Sequence, residues 1–288
     1  PYAQLARWDR PIGWQLLMWP CFWSAALAAN VAAAAGTFDW TRFVFHLALF
    51  FIGSVAMRGA GCTYNDLVDH DIDNAVARTR SRPLPSGRVT RRQAKVFMLL
   101  QTLVGLIVLL QFNLFAMLLA IASLLIVAIY PFAKRFTDWP QFFLGMAFSW
   151  GALMGWAAEF GKLSLAAGAL YVAAIAWTVG YDTIYAHQDK EDDALIGVRS
   201  TARLFGERTK QWLVGLYGLT VGLIAVSFWL AGVGLVAWLG LVVAAFMLAW
   251  QIRTLDIDDP EQCLALFKFN GVVGLSIFLA LAVAIPFA

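Results

Sequence analysis

Two groups of carboxylates carry the chemistry in a chain that has little other charge. The first is Asn65-Asp66-Leu67-Val68-Asp69-His70-Asp71-Ile72-Asp73. At helical spacing Asp66, Asp69 and Asp73 fall at i, i+3 and i+7 and share one face, with Asn65 beside them. Carboxylates gathered this closely repel one another unless a cation sits among them. Mg2+ suits that place, being a hard ion held by carboxylates, waters and substrate phosphates. The second group runs from Tyr181 to Asp193, and Asp182, Asp189 and Asp193 lie at i, i+7 and i+11. Two facing carboxylate sets can hold two metal ions, which can clamp a diphosphate and stabilise it as a leaving group. A calcium loop is a poor match, because the glycine and terminal glutamate of an EF-hand are missing.

Cations follow each group. Arg78-Thr79-Arg80-Ser81-Arg82-Pro83-Leu84-Pro85-Ser86-Gly87 comes after the first, Lys190, Arg199 and Arg203 after the second, and Lys134-Arg135 between them. Guanidinium groups present forks that match phosphate oxygens. Metal-holding acids beside phosphate-holding bases are what a diphosphate requires.

The elements that must position these residues are membrane helices. Of 288 residues 61% are hydrophobic and 14% charged, whereas a soluble domain is about half apolar and a quarter charged. That excludes a soluble enzyme and a nucleic-acid-binding domain. Cys21, Cys62 and Cys263 lie in or beside apolar stretches without paired spacing, which excludes a disulfide scaffold. An outer-membrane barrel would show short alternating segments. This chain instead shows nine long apolar runs, at about 12–35, 43–65, 96–111, 114–133, 140–160, 165–188, 211–231, 235–252 and 266–287. The expected fold is all-α, a polytopic membrane protein of nine transmembrane helices in one domain, 1–288. A faint internal repeat divides it into 1–135 and 136–255, followed by the last helix.

The charges are sorted between the two sides. Connections after runs two, four, six and eight carry them, so that 18 of the 21 Lys and Arg residues fall on one side together with both acidic groups. Arg42 and Lys162 lie opposite, and Arg58 sits inside an apolar run near the charged end. By the positive-inside rule the charged side and the N-terminus are cytoplasmic, or on the matrix side of a mitochondrion. A charge buried within a span is a functional candidate and needs a partner.

At these residues the sequence resembles the UbiA superfamily of intramembrane prenyltransferases. Asn65-Asp66-x-x-Asp69-x-x-x-Asp73 and Asp189-x-x-x-Asp193 look like its two signature motifs. Arg78 to Gly87 resembles its TxxRPLPSG loop, and Tyr130-Pro131-Phe132-Ala133-Lys134-Arg135 its YPxxKR segment. Asp9-Arg10-Pro11-Ile12-Gly13, Tyr181 to Ala186, Ile196-Gly197 and Ser200-Thr201-Ala202 are similar to the branch that prenylates 4-hydroxybenzoate. Asp71 adds a carboxylate between motif positions, and His70 and His187 occupy variable slots.

The resemblance implies nine helices around a central cavity, capped by loops on the cytoplasmic side and open laterally to lipid. It implies Mg2+-dependent transfer of a polyprenyl group from polyprenyl diphosphate to the ring carbon ortho to the hydroxyl of 4-hydroxybenzoate, in ubiquinone biosynthesis. Asn65, Asp66, Asp69 and Asp73 would then hold one Mg2+, and Asp189 and Asp193 the other. Asp66, Asp69, Asp182 and Asp189 are the expected catalytic carboxylates, with Asp182 orienting the phenol or accepting its proton, the alternative being a hydrogen bond within the bundle. Arg78, Arg82, Lys134 and Lys190 would neutralise the diphosphate. Arg10 and Arg58 are the candidates for the acceptor's carboxylate, the alternative for Arg58 being a structural pair with a motif acid. The expected partners are the two substrates and the lipid bilayer, with no nucleic acid and no evident protein partner.

Two other readings remain open: a UbiA-type enzyme for another aromatic acceptor, and a cation-coupled secondary transporter. The transporter predicts acids at mid-membrane in broken helices. A CDP-alcohol phosphotransferase would need an Asp-x-x-Asp-Gly-x-x-Ala-Arg run, which is absent. With no presequence in view, the sequence leans towards a bacterial inner membrane, with the mitochondrial inner membrane as the alternative.

Overall fold

The structure, a computed structural model, describes residues 1–70, 80–189, 197 and 199–288. Among them every regular element is helical. A single turn, α1 (Tyr2–Leu5), precedes the first long helix, α2 (Ile12–Ala34). α3 (Trp40–Val68) starts at Asp39, whose carboxylate accepts from the backbone N–H groups of Thr41 and Arg42. α4 (Arg91–Leu109) opens on a capping box formed by Thr90 and Gln93. α5 (Leu114–Ile129) begins under Asn113, whose side chain accepts from the Ala116 N–H. The chain then passes through a 3-10 turn (Tyr130–Phe132) and the one-turn α6 (Ala133–Phe136). α7 (Pro140–Ser149), α8 (Gly151–Phe160), α9 (Leu165–Ala186), α10 (Thr201–Phe205), α11 (Thr209–Ala231) and α12 (Leu235–Thr254) follow. α13 (Pro260–Ala284) is capped by Asp259, with Pro260 at its first position.

These caps explain why α3, α4 and α13 begin several residues before the apolar runs that announced them. The fifth run departs further from expectation. Eight helical segments among the described residues are long and apolar enough to cross a membrane, and 140–160 is not one of them. It is parted at Trp150 into α7 and α8, ten residues each. This stretch packs closely on α2. Gly151 and Gly155 meet the backbone of Cys21, Ser24 and Ala25 so closely that neither position has room for a Cβ. The Ser24 hydroxyl accepts from the Trp156 N–H at 2.8 Å. Close approach of backbones over small residues is how helices associate in lipid.

α2 and α9 form the centre of the bundle and α4 and α5 its rim. In the membrane-length windows of α2 and α9, 78% and 67% of residues are buried, against 17% and 11% for those covering α4 and α5. The rim and the outer faces of α11 and α12 present Ile107, Leu125, Trp229 and Phe246 to the surroundings. In water so much exposed apolar surface would drive association; in a bilayer it is the solvated surface of a multi-pass membrane protein.

Polar groups inside the bundle lock the helices in register. The Trp23 indole donates to the Gly274 carbonyl at 2.7 Å, across the α2–α13 seam. Asn30 donates to the carbonyls of Ala26 and Leu281. A larger network joins four helices: Trp177 Nε1 donates to Asn270 Oδ1 at 2.8 Å, Asn270 Nδ2 to Gln251 Oε1 at 3.1 Å, and the Tyr217 hydroxyl to the same Gln251 oxygen at 3.3 Å. Gly180 on α9 gives the Tyr217 ring the space to reach it.

Candidate active site

The first acidic motif sits at the inner end of α3, and the helix stops within it. Val68 is its last residue and Asp69 its C-cap, with φ −96° and ψ 11° and its N–H on the Asn65 carbonyl. Of the expected helical face the structure describes Asn65, Asp66 and Asp69, and Asp73 lies outside the described residues. Asp66 and Asp69 are each 1% exposed, while Asn65 is half-buried. Burying two carboxylates side by side is costly unless cations and hydrogen bonds compensate.

Cations arrive from three parts of the chain. Arg7 Nη2 donates to both oxygens of Asp66, at 2.9 and 3.0 Å, and Arg82 Nη1 reaches Oδ1 at 3.4 Å. Lys134 Nζ lies 2.5 Å from Asp69 Oδ2, and Arg135 Nη2 lies 3.7 Å from Oδ1. Asp69 Oδ1 is buried yet accepts no hydrogen bond. A motif carboxylate oxygen that accepts no hydrogen bond has the hard donor chemistry of a Mg2+ ligand. Among the described residues no three His, Cys, Asp or Glu side chains converge, so the remaining ligands of such a site would come from elsewhere in the motifs.

Local sequence explains how these cations are delivered. Pro131 cannot continue α5, and the 3-10 turn it forms swings Lys134 and Arg135 under the end of α3. Arg199 holds this turn by donating its N–H to the Lys134 carbonyl and Nη1 to the Phe136 carbonyl. Arg82 is fixed by its own loop. Ser86 N–H and Oγ both donate to the Arg82 carbonyl, and Gly87, at φ 74°, closes the turn in the left-handed region. Leu84 and Val89 anchor the loop in a small core with Leu5 and Ala94.

Deeper in the bundle lies a different kind of charge. The Arg58 guanidinium stands 5.0 Å over the Phe148 ring and packs against Gly13, where a Cβ would come within 2.9 Å of Nε. That Nε is buried without a hydrogen-bond partner, and Arg58 is paired with neither motif acid. Cys62, Tyr130, Tyr181 and Asp182 are the titratable groups within its electrostatic reach, and Tyr130 also senses Asp69. The Tyr181 hydroxyl is buried without a partner as well. A polar path thus leads from the paired carboxylates of the charged end to an Arg–Asp–Tyr cluster inside the membrane region.

The structure brings together Asn65, Asp66, Asp69, Arg82 and Lys134 at one end of the bundle, with Arg58 and Asp182 beneath. Arg78, Lys190 and Asp193 lie outside the described residues with Asp73, and Asp189 closes the 3-10 turn His187–Asp189. That turn is tied down by His187, whose Nε2 bonds Thr209 Oγ1 at 2.9 Å, and by the Thr183–Thr201 hydroxyl pair at 2.6 Å. Arg10 is 68% exposed and, among the described residues, its ion pair is with Asp9, at 4.0 Å. The cation from the N-terminal segment that reaches the motif is Arg7, which the sequence had marked only as one of the charges on this side. Arg135 joins Asp69 beside its neighbour Lys134. No spacing links residue 7 to residue 66, whereas Arg135 was visible in the same short segment as Lys134.

Comparison with known proteins places this geometry in context. The model of the UbiA prenyltransferase family matches residues 17–281. The mitochondrial 4-hydroxybenzoate polyprenyltransferase of Drosophila pseudoobscura pseudoobscura is 48% identical over 98% of this chain and 69% of that protein. Those of Arabidopsis thaliana and Bos taurus are 47% and 46% identical, over 96% and 98% of this chain and 67% and 74% of theirs. Among solved structures, the apo form of a UbiA homolog from Aeropyrum pernix K1 superposes with a TM-score of 0.76 at 23% identity, covering 93% of this chain and 97% of that one. A UbiA homolog from Archaeoglobus fulgidus bound to GPP and Mg2+ gives 0.62 at 18% identity, covering 98% and 99%. At these identities the structural likeness concerns the fold.

Proposed function

The chain belongs to the UbiA prenyltransferase family, and from that premise we propose that it transfers a polyprenyl group from polyprenyl diphosphate to 4-hydroxybenzoate. The new bond forms at the ring carbon ortho to the hydroxyl, diphosphate leaves, and the proton on that carbon is lost. This is the membrane-committing step of ubiquinone biosynthesis. The names of the relatives support the acceptor, and the mitochondrial part of those names supports the mitochondrial inner membrane. The bacterial expectation gains no support from them.

One observation carries the reading. Two buried motif carboxylates stand among four cations, with one carboxylate oxygen open. Mg2+, when held there, neutralises diphosphate charge. Asn65, Asp66 and Asp69 would hold it, with Asp73, Asp189 and Asp193 completing the two sets. Arg82, Lys134 and Arg135, joined by Arg78 and Lys190, would take diphosphate oxygens and the negative charge that develops as the allylic C–O bond breaks. Stabilising charge where it develops is the largest contribution a preorganised site makes. Arg58 would take the acceptor's carboxylate, and Asp182 would orient the phenol or accept its proton. The apolar walls keep water from the allylic cation.

The test uses membranes bearing the protein, labelled 4-hydroxybenzoate, geranyl diphosphate and Mg2+, followed by lipid extraction. Label in the lipid phase, abolished by EDTA, is the expected result. Label that stays aqueous, or transfer that persists in EDTA and in Asp69→Asn, sinks the proposal.

A further inference from the structure

Arg7 occupies a backbone position that an arginine rarely takes. After α1 the chain turns through a Schellman motif, in which the Trp8 N–H bonds the Ala3 carbonyl at 2.8 Å and the Arg7 N–H bonds the Gln4 carbonyl at 3.2 Å. Arg7 is the residue just past the helix cap and has φ 59°, the only positive φ of a non-glycine residue among the described residues. Glycine or asparagine is the usual occupant, since a Cβ is disfavoured there. Backbone strain of this kind persists where the surroundings hold it in place.

They do so here on every side. Leu5 and Ala6 are fully buried, Leu5 in the small core with Leu84, Val89 and Ala94, and Ala6 against Gly59 of α3. Gln4 accepts from Arg88 at 3.0 Å, and Tyr2 and Trp8 both pack on Phe97. The whole segment is pressed onto the charged end of the bundle, and its strained residue sends one side chain to Asp66. That side chain donates to both carboxylate oxygens, so Arg7 and a divalent cation draw on the same oxygens.

We propose that Arg7 is a positioning residue that stands in for the metal at Asp66 and turns to the diphosphate when metal and diphosphate load. The inference rests on the metal–diphosphate reading of the site. Before loading, the guanidinium holds both oxygens of a buried carboxylate that Arg82 reaches at Oδ1 alone, at 3.4 Å. As metal binds Asp66, the same guanidinium is released beside the incoming diphosphate, whose oxygens it fits. Loading thereby exchanges one cation partner for another without leaving Arg7 or Asp66 uncompensated.

The turn itself supplies the variants. Arg7→Asn and Arg7→Gly keep or relax the left-handed backbone while removing the guanidinium, so both retain the turn. Using the purified full chain in detergent, free Mn2+ is measured by its EPR signal to give metal affinity. Calorimetry with geranyl S-thiolodiphosphate at saturating Mn2+ gives diphosphate affinity. Both variants are expected to bind Mn2+ alone about tenfold more tightly and the analogue about tenfold more weakly. A damaged site would weaken both, so opposite signs are the signature. Unchanged or weaker Mn2+ binding in both variants, or unchanged analogue affinity, overturns the proposal. On the wild-type chain, hydrogen exchange of residues 2–10 is expected to change on adding saturating Mn2+ with analogue; no change also overturns the proposal. Failure of the underlying reading looks different: wild type, Asp66→Asn and Asp69→Asn would all bind Mn2+ and analogue equally.

Discussion

Two buried polar regions lie within this bundle, and they are finished differently. Around Asn270, four helices contribute Trp177, Tyr217, Gln251 and Asn270, and their side chains bond one another. Around Arg58, three helical segments contribute Arg58, Tyr181, Asp182 and Tyr130, which sense one another electrostatically, while Arg58 Nε and the Tyr181 hydroxyl are left without partners. Polar groups in hydrocarbon are expensive unless satisfied. A closed network repays that cost within the protein and fixes helix register. An open one keeps hydrogen-bonding capacity to spare, which in the proposed function the acceptor's carboxylate and phenol would take up. The paired carboxylates at the charged end are an intermediate case, with Asp66 and Asp69 neutralised but Asp69 Oδ1 open.

Substitutions that treat the regions alike should have unlike effects. The largest loss is expected at the charged end. Asp69→Asn keeps shape and removes charge, and prenyl transfer should fall about a hundredfold or more, measured as label entering lipid at saturating Mg2+. In the open region, Arg58→Leu should lower kcat/KM for 4-hydroxybenzoate by about ten- to a hundredfold. KM for the prenyl diphosphate should stay put. Because Arg58 is a buried charge with no hydrogen-bonded partner, its loss should leave the melting temperature in detergent unchanged or raised. The closed network should respond the other way round. Asn270→Leu strands the Trp177 indole and Gln251, at a cost of about 1–3 kcal/mol in stability, while folded protein keeps its kcat/KM within a few-fold. The smallest effect is expected from Trp177→Phe combined with Asn270→Leu. Removing the indole donor together with its acceptor recovers part of the stability lost by Asn270→Leu alone, which a thermal melt of both variants beside wild type will show.

The bundle was legible because lipid imposes a simple rule on sequence. Long apolar runs appeared as helices, and the one-sided distribution of Lys and Arg matched the end where Asp66, Asp69, Arg82, Lys134 and Arg135 meet. Helix starts were readable from caps such as Asp39, Thr90 with Gln93, and Asp259 rather than from hydrophobicity, which is why the apolar runs began late. The break at Trp150 was hidden because both halves are equally apolar. Both Arg7 and Arg10 are cations just before the first run, and only Arg10 lies in a segment the resemblance covers. A left-handed turn at Arg7 sends one inward and leaves the other at the surface. The Asn270 network was invisible for a similar reason: lone amides in four separate runs have no spacing in common.

The contrast between the open and the closed region can be measured directly as acceptor affinity. Calorimetric titration of 4-hydroxybenzoate into the purified chain, loaded with Mg2+ and geranyl S-thiolodiphosphate, compares wild type, Arg58→Leu and Asn270→Leu. Binding should be lost or weakened at least tenfold in Arg58→Leu and be retained in Asn270→Leu. Equal affinity in Arg58→Leu and wild type would show that the open cluster does not receive the acceptor, and would contradict the account.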